Sequence, residues 1–313
     1  TPYSGSTKRI PVDPQKDIEG AYWTTGAAPE IYGVSAVGFF FAEKLRRELD
    51  MPVGIISASL GGSSIASWLS RDAIDGDMQV KADFSEVGEY IEYDKWNETE
   101  QSMFNDMTAN YDLKIAPLRP FRITGMIWYQ GETDIILQWK KGRYSRAFDL
   151  MQRSYSELFG FEDGLMPIVW TNLASFYYTE EFTVEKMNAE FAEIKEARPE
   201  SRALISIYDV PLDYTPEMGS IHPGYKKPVG ERMANAAMGL VYGGDKAYTG
   251  SSVKNVECKD GSVFVTLDNT GSGLTGRANK LFGFSVCGKN GVYVQAEAQI
   301  VSDDTVKIFS EYV

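Results

Sequence analysis

The chain contains a single histidine, His222, in the run Ser220-Ile221-His222-Pro223, which leads into a segment bearing Lys226, Lys227 and Arg232. An imidazole beside a proline at a helix start is well placed to serve as general base for a serine hydroxyl, although a lone histidine also fits a packing or surface role. A second segment, Trp128-Tyr129-Gln130-Gly131-Glu132-Thr133-Asp134, directly follows an apolar run. A glutamine at a strand end can aim amide protons at developing negative charge. Glu132 and Asp134 read either as paired carboxylates of the glycosidase kind or as solvated loop acids. The third segment, Ser57 to Ile65, holds Gly61-Gly62-Ser63-Ser64. Its glycines let backbone N–H groups turn toward a ligand, and the same residues are ordinary strand-to-helix turn chemistry.

Elements that would position these segments are legible from periodicity. Ala36 to Leu49, Arg143 to Phe159, Thr183 to Ala197 and Lys226 to Tyr242 have helical patterns. Between them lie short apolar runs at Val53–Ser57, Ile123–Tyr129, Met166–Leu173 and Ala203–Val210, expected to be parallel neighbours in one sheet. In such sheets ligands bind beyond the carboxyl ends of the strands, where all three segments fall. After Gly243-Gly244 the pattern becomes short strands such as Val263–Leu267, Phe282–Val286 and Thr305–Ile308. The expected organisation is an α/β domain over 1–244 and a small β module over 245–313.

Composition narrows the function classes. With 31 Lys and Arg against 44 Asp and Glu, the net charge of −13 argues against nucleic acid or an anionic membrane surface as partner and favours neutral or cationic ligands. Two cysteines and one histidine make neither a disulfide framework nor a zinc site. Whether Cys258 and Cys287 pair is left open. No run of about 18 apolar residues is present, so no membrane span is expected.

Taken together, Gly61-Gly62, the run from Trp128 to Asp134 and the run from Ser220 to Pro223 resemble, in order and spacing, three blocks of the sialate O-acetylesterase-like carbohydrate esterases within the SGNH hydrolases. The resemblance extends to Ile115-Ala116-Pro117-Leu118, the Lys227 to Gly239 helix and Leu281-Phe282-Gly283-Phe284. It implies a flavodoxin-like parallel sheet with helices on both faces. It also implies removal of O-acetyl groups from sugars through a serine nucleophile and an acyl-enzyme, with no metal and no cofactor. Carried over by position, His222 resembles the general base, Gly61 or Gly62 and Gln130 the oxyanion donors, and Glu132 and Ser63 substrate contacts. An acetylated carbohydrate is the implied partner, and a secreted or periplasmic location is expected.

Two departures stand out. The family's acid two or three residues before the histidine is replaced by Ser220 and Gly219, leaving Glu217, Asp213 further back, or Ser220 with backbone carbonyls to orient the imidazole. The family's GQSN-type nucleophile block is absent, so either the serine lies on an upstream segment before Thr1, or a second polypeptide supplies it, or the catalytic apparatus is incomplete. Competing functions are a glycoside hydrolase using Glu132 or Asp134, and a noncatalytic carbohydrate binder suggested by aromatics that include Trp23, Trp68, Trp128 and Trp139. Ser63 as an internal nucleophile is the less expected arrangement, because one turn would then supply both the attacking group and the oxyanion donors.

Overall fold

The computed structural model describes residues 14–18, 20–92, 106–137, 140–178, 183–215, 218–244, 250–276 and 279–313, with backbone alone for 30, 213–215 and 218–220. It divides into two compact units, Thr1–Tyr242 and Gly243–Val313.

Helix α1 (Ala36–Leu49) begins at Ser35, whose hydroxyl accepts from the Gly38 N–H at 3.3 Å. It ends at Asp50, whose left-handed φ of 49° turns the chain out of the helix before Pro52. Two short helices follow, α2 (Arg71–Gly76) and α3 (Met78–Glu86), capped by the side chains of Ser70 and Asp77. Beyond them the chain alternates between strand and helix: β1 (Met126–Trp128), α4 (Glu132–Ile136), α5 (Arg143–Leu158), β2 (Ile168–Thr171), α6 (Val184–Ala197) and β3 (Arg202–Ile205). A hairpin of β4 (Leu212–Thr215) and β5 (Met218–Pro223) then delivers the chain to α7 (Lys226–Val241).

Strands β1, β2 and β3 form one parallel sheet in that order, with Met126 opposite Ile168 and Ile168 opposite Arg202. Every residue of β2 is buried, as a strand covered on both faces requires. Its alternation separates two cores. Ile168 and Trp170 pack with Phe148 and Tyr155 of α5 and Phe191 of α6. Val169 packs with Ala203 and Ile205 of β3 against Val229 and Met233 of α7 and Leu45 of α1. Helices therefore cover both faces, as expected of a flavodoxin-like α/β sheet.

Close helix contact on the second face depends on Gly230. A Cβ there would stand 2.5 Å from the Val37 carbonyl oxygen and 2.9 Å from the Phe41 nitrogen, both backbone atoms. Any side chain larger than hydrogen would push α1 and α7 apart.

Two strands differ from expectation. Val53–Ser57 is no part of the sheet. Among the described residues, the backbone groups of residues 53–58 make no hydrogen bond, although Val53 still packs on the second core. A ladder needs a neighbour, and the outer edge of β1 is also unpaired among the described residues. The fourth run, Ala203–Val210, forms strand only as far as Ile205. The Asn172 side chain takes the Ile207 N–H at 2.8 Å, and the Val210 N–H turns back to the Ile207 carbonyl at 3.0 Å.

The second unit is an antiparallel sheet of β6 (Ser252–Lys259), β7 (Ser262–Asp268), β8 (Lys280–Cys287), β9 (Tyr293–Ile300) and β10 (Thr305–Phe309), in the order β6-β7-β10-β9-β8. Ala298, Val306 and Ile308 form its core. Cys258 and Cys287 lie on opposite edge strands and are both free thiols.

Candidate active site

Gln130 and Gly131 stand where β1 gives way to α4. The N-cap Gly131 has φ 144°, and a Cβ on it would lie 3.0 Å from the Phe191 ring and 3.2 Å from Leu173. Only glycine combines that backbone with that closeness. The tight turn sends Gln130 inward and starts the helix that carries Glu132 and Asp134.

Gln130 is buried and fully engaged. Its Oε1 accepts from the Tyr144 hydroxyl at 3.0 Å, and that hydroxyl accepts from Trp128 Nε1 at 2.9 Å. Its Nε2 donates to the Ser63 carbonyl oxygen at 2.9 Å and to Asp134 Oδ2. Asp134 also accepts from the Ile65 N–H at 3.2 Å. The segment 130–134 is thus bonded to the glycine turn from two positions.

In that turn, Gly61 and Gly62 are exposed, and Gly62 has a left-handed φ of 75°. A Cβ on either would meet nothing within 4 Å, and among the described residues neither N–H donates a hydrogen bond. Open donors of this kind suit an oxyanion. Ser63 is different. It is 2% exposed, its hydroxyl donates to the Leu60 carbonyl at 2.8 Å, and it accepts from Trp68 Nε1 at 2.9 Å. Ser64 is equally buried and bonds Glu89. Both hydroxyls serve the turn itself, so the structure gives Ser63 no free hydroxyl to contact a sugar.

His222 is exposed near the end of β5 and is followed by the buried Pro223. The sequence suggested a loop here, whereas the β4–β5 hairpin carries the imidazole on a strand. It faces Glu132. Burial raises the Glu132 carboxyl above the usual glutamate range, while the charges of His222 and Lys226 pull it down by less. Lys226 also lies 5.6 Å above the Tyr129 ring. Burial drives the Tyr129 and Tyr178 phenols upward, and the Glu132 charge adds to both shifts. His222, Glu132, Lys226, Tyr129 and Tyr178 are therefore one electrostatic cluster at the carboxyl end of the sheet.

The structure thus ties Gln130 and Asp134 to the Gly61-Gly62 turn, and His222 acts electrostatically on Glu132 of the same 130–134 segment. Glu217 and the side chain of Asp213 lie outside the described residues. Sequence reasoning missed Asp134 as the tie between turn and helix, and it missed Tyr144 and Lys226. The spacing of Gln130 and Asp134, one helical turn apart, was the available signal for the first.

Residues 20–238 match the family model described as carbohydrate esterase, sialic acid-specific acetylesterase. The chain belongs to this acetylesterase family. A sialate O-acetylesterase of Mus musculus is 22% identical over 283 residues, covering 81% of this chain and 52% of that protein. One from Homo sapiens is 26% identical over 221 residues, covering 67% of this chain and 40% of that protein. The chain thus spans about half the length of these relatives or less. A solved carbohydrate acetylesterase from Xanthomonas citri superposes with a TM-score of 0.74 at 29% identity, over 97% of this chain and 63% of that one. Among the described residues, no helix of this acetylesterase-family chain is long and apolar enough to cross a membrane.

The tie at Asp134 has a pH signature. Burial, followed by the neighbouring Glu89 charge, holds the Asp134 carboxyl well above the usual aspartate range, against the opposing hydrogen bonds from Gln130 and Ile65. Between the unfolded and native pKa values, the unfolded chain has lost a proton that the native state keeps, so rising pH favours unfolding. The stability contributed by this group is complete below the unfolded value and is lost as pH rises through the native one. Asp134→Asn cannot ionise. Its denaturation midpoint relative to the parent should therefore improve steadily as pH rises from acid to neutral, and a difference that is constant with pH would contradict the assignment.

Proposed function

We propose that the first unit carries the base and oxyanion half of an SGNH-type carbohydrate O-acetylesterase acting on an acetylated glycan. The observation that supports this is the 130–134 segment, which is bonded next to the open Gly61-Gly62 turn through Gln130 and Asp134 and whose Glu132 feels the charge of the sole histidine. His222 removes the proton from a serine hydroxyl as it attacks the acetyl carbonyl, then returns it to the departing sugar oxygen. Water repeats the cycle on the acyl-enzyme and releases acetate. Gly61 and Gly62 N–H groups hold the oxyanion, and Gln130 adds an amide proton in exchange for its bond to Ser63. Each such donor is worth about 3 kcal/mol in the transition state. Glu132 faces the imidazolium as it forms and stabilises it.

The serine comes from a strand outside this turn. Two edges support that: among the described residues, the backbone groups of residues 53–58 make no hydrogen bond, and the outer edge of β1 is unpaired. A strand added at either edge would satisfy backbone groups that have no partner among the described residues. A secreted or periplasmic site of action accompanies this substrate class. To test the activity class, the complemented enzyme should be given acetylated and plain forms of the same glycan, with acetate and reducing ends measured separately. Acetate release with intact glycosidic bonds is the expected outcome. New reducing ends would instead support carboxylate chemistry at Glu132 and Asp134.

A further inference from the structure

We propose that the cleft between residues 175–178 and the first turn of α6 is a subsite for an uncharged sugar unit of the glycan that bears the acetyl group. This extends the esterase proposal and rests on it only for the identity of the neighbouring site. The cleft has a volume of about 310 Å³ and is lined by Ser175, Phe176, Tyr177, Tyr178, Thr183 and Glu185. That volume lies at the lower end of the about 300–1,000 Å³ found for small-ligand sites.

Position ties it to the chemistry. The lining segment follows β2 at the carboxyl end of the sheet, the same end as Tyr129 and Glu132. Tyr178 lies close enough to Glu132 for the carboxylate charge to disfavour its ionisation. The cleft therefore lies on the same end of the sheet as Glu132.

Lining chemistry selects the ligand. Phe176 and Tyr178 meet edge to face at 5.0 Å and brace each other, leaving Tyr177, 72% exposed, to offer a ring to solvent. A large exposed ring beside a cleft gives the C–H face of a pyranose an apolar surface while the sugar hydroxyls stay wet. The polar groups are four hydroxyls, of Ser175, Tyr177, Tyr178 and Thr183, and the exposed Glu185 carboxylate, and no cation is among the described lining residues. A carboxylate accepts hydrogen bonds from neutral sugar hydroxyls and repels an anionic sugar. The subsite therefore takes hexose or pentose units, not sialic acid or uronic acid.

Isothermal titration of the full 313-residue chain with xylohexaose, cellohexaose and mannohexaose, beside 3′-sialyllactose, tests this without requiring turnover. At least one neutral hexasaccharide should bind more tightly than sialyllactose. Tyr177→Ala should weaken that binding tenfold or more, while Tyr177→Phe, which keeps the ring, should stay within about twofold of the parent. Failure of all three neutral probes, sialyllactose binding as tightly, or indifference to Tyr177→Ala would each overturn the subsite. Binding with these features, together with a complemented enzyme that never releases acetate, would leave the subsite standing and remove the esterase proposal. Acetate release without such binding would do the reverse.

Discussion

His222→Ala should lower turnover of an aryl acetate by about 100- to 10,000-fold in the complemented enzyme, the range for loss of a positioned general base. The effect is expected to be large because this is the only histidine in the chain, so no second imidazole can replace it. It should fall on kcat more than on KM, since the base acts on the serine proton in the transition state and an aryl acetate needs little else for binding. Folding should survive, because the imidazole is exposed and the core around Pro223 is untouched. Thermal denaturation of the variant checks that. A variant with near-parental kcat and an unchanged melting temperature would take His222 out of the mechanism.

The second large effect concerns the nucleophile. The 313-residue chain alone should hydrolyse 4-nitrophenyl acetate slowly or not at all, and adding a strand that bears a serine should raise the rate by orders of magnitude. Ser63 and Ser64 are the hydroxyls of the glycine turn, and both are buried and hydrogen-bonded. Using either as nucleophile would cost its existing bonds, about 1–3 kcal/mol for a buried group left unsatisfied, before any attack began. The turn would also have to present the serine and the Gly61-Gly62 donors to opposite sides of one carbonyl. A paired strand removes both difficulties and satisfies the free backbone groups of residues 53–58. Robust turnover by the chain alone, abolished by Ser63→Ala or Ser64→Ala, would contradict the proposal.

How much of this was legible depended on whether the cause was local. Helices α1, α5, α6 and α7 were visible within a residue or two because apolar periodicity and caps such as Ser35 and Thr183 lie within one element. Strand β2 was visible because burial on both faces demands an unbroken apolar run. Val53–Ser57 reads the same way but lacks a ladder, since pairing depends on a neighbour rather than on the segment's own residues. Ala203–Val210 is apolar throughout, yet the Asn172 side chain, some 35 positions earlier, takes the Ile207 N–H and ends the strand. The site shows the same division. His222, Gln130 and the glycine pair stood out by type and motif. The engagement of Asp134 with the Ile65 N–H arises only when segments 69 residues apart meet.

The most direct test of the central claim is covalent labelling with a fluorophosphonate, which modifies only a serine activated by a base beside an oxyanion hole. The chain should be treated alone and after addition of the serine-bearing strand, and the modified residue located by mass spectrometry. The account predicts no labelling of the chain alone, labelling of the added serine once the strand is bound, and loss of that labelling in His222→Ala. Modification of Ser63 or Ser64 in the isolated chain would contradict it, as would labelling of the added serine that persists without His222.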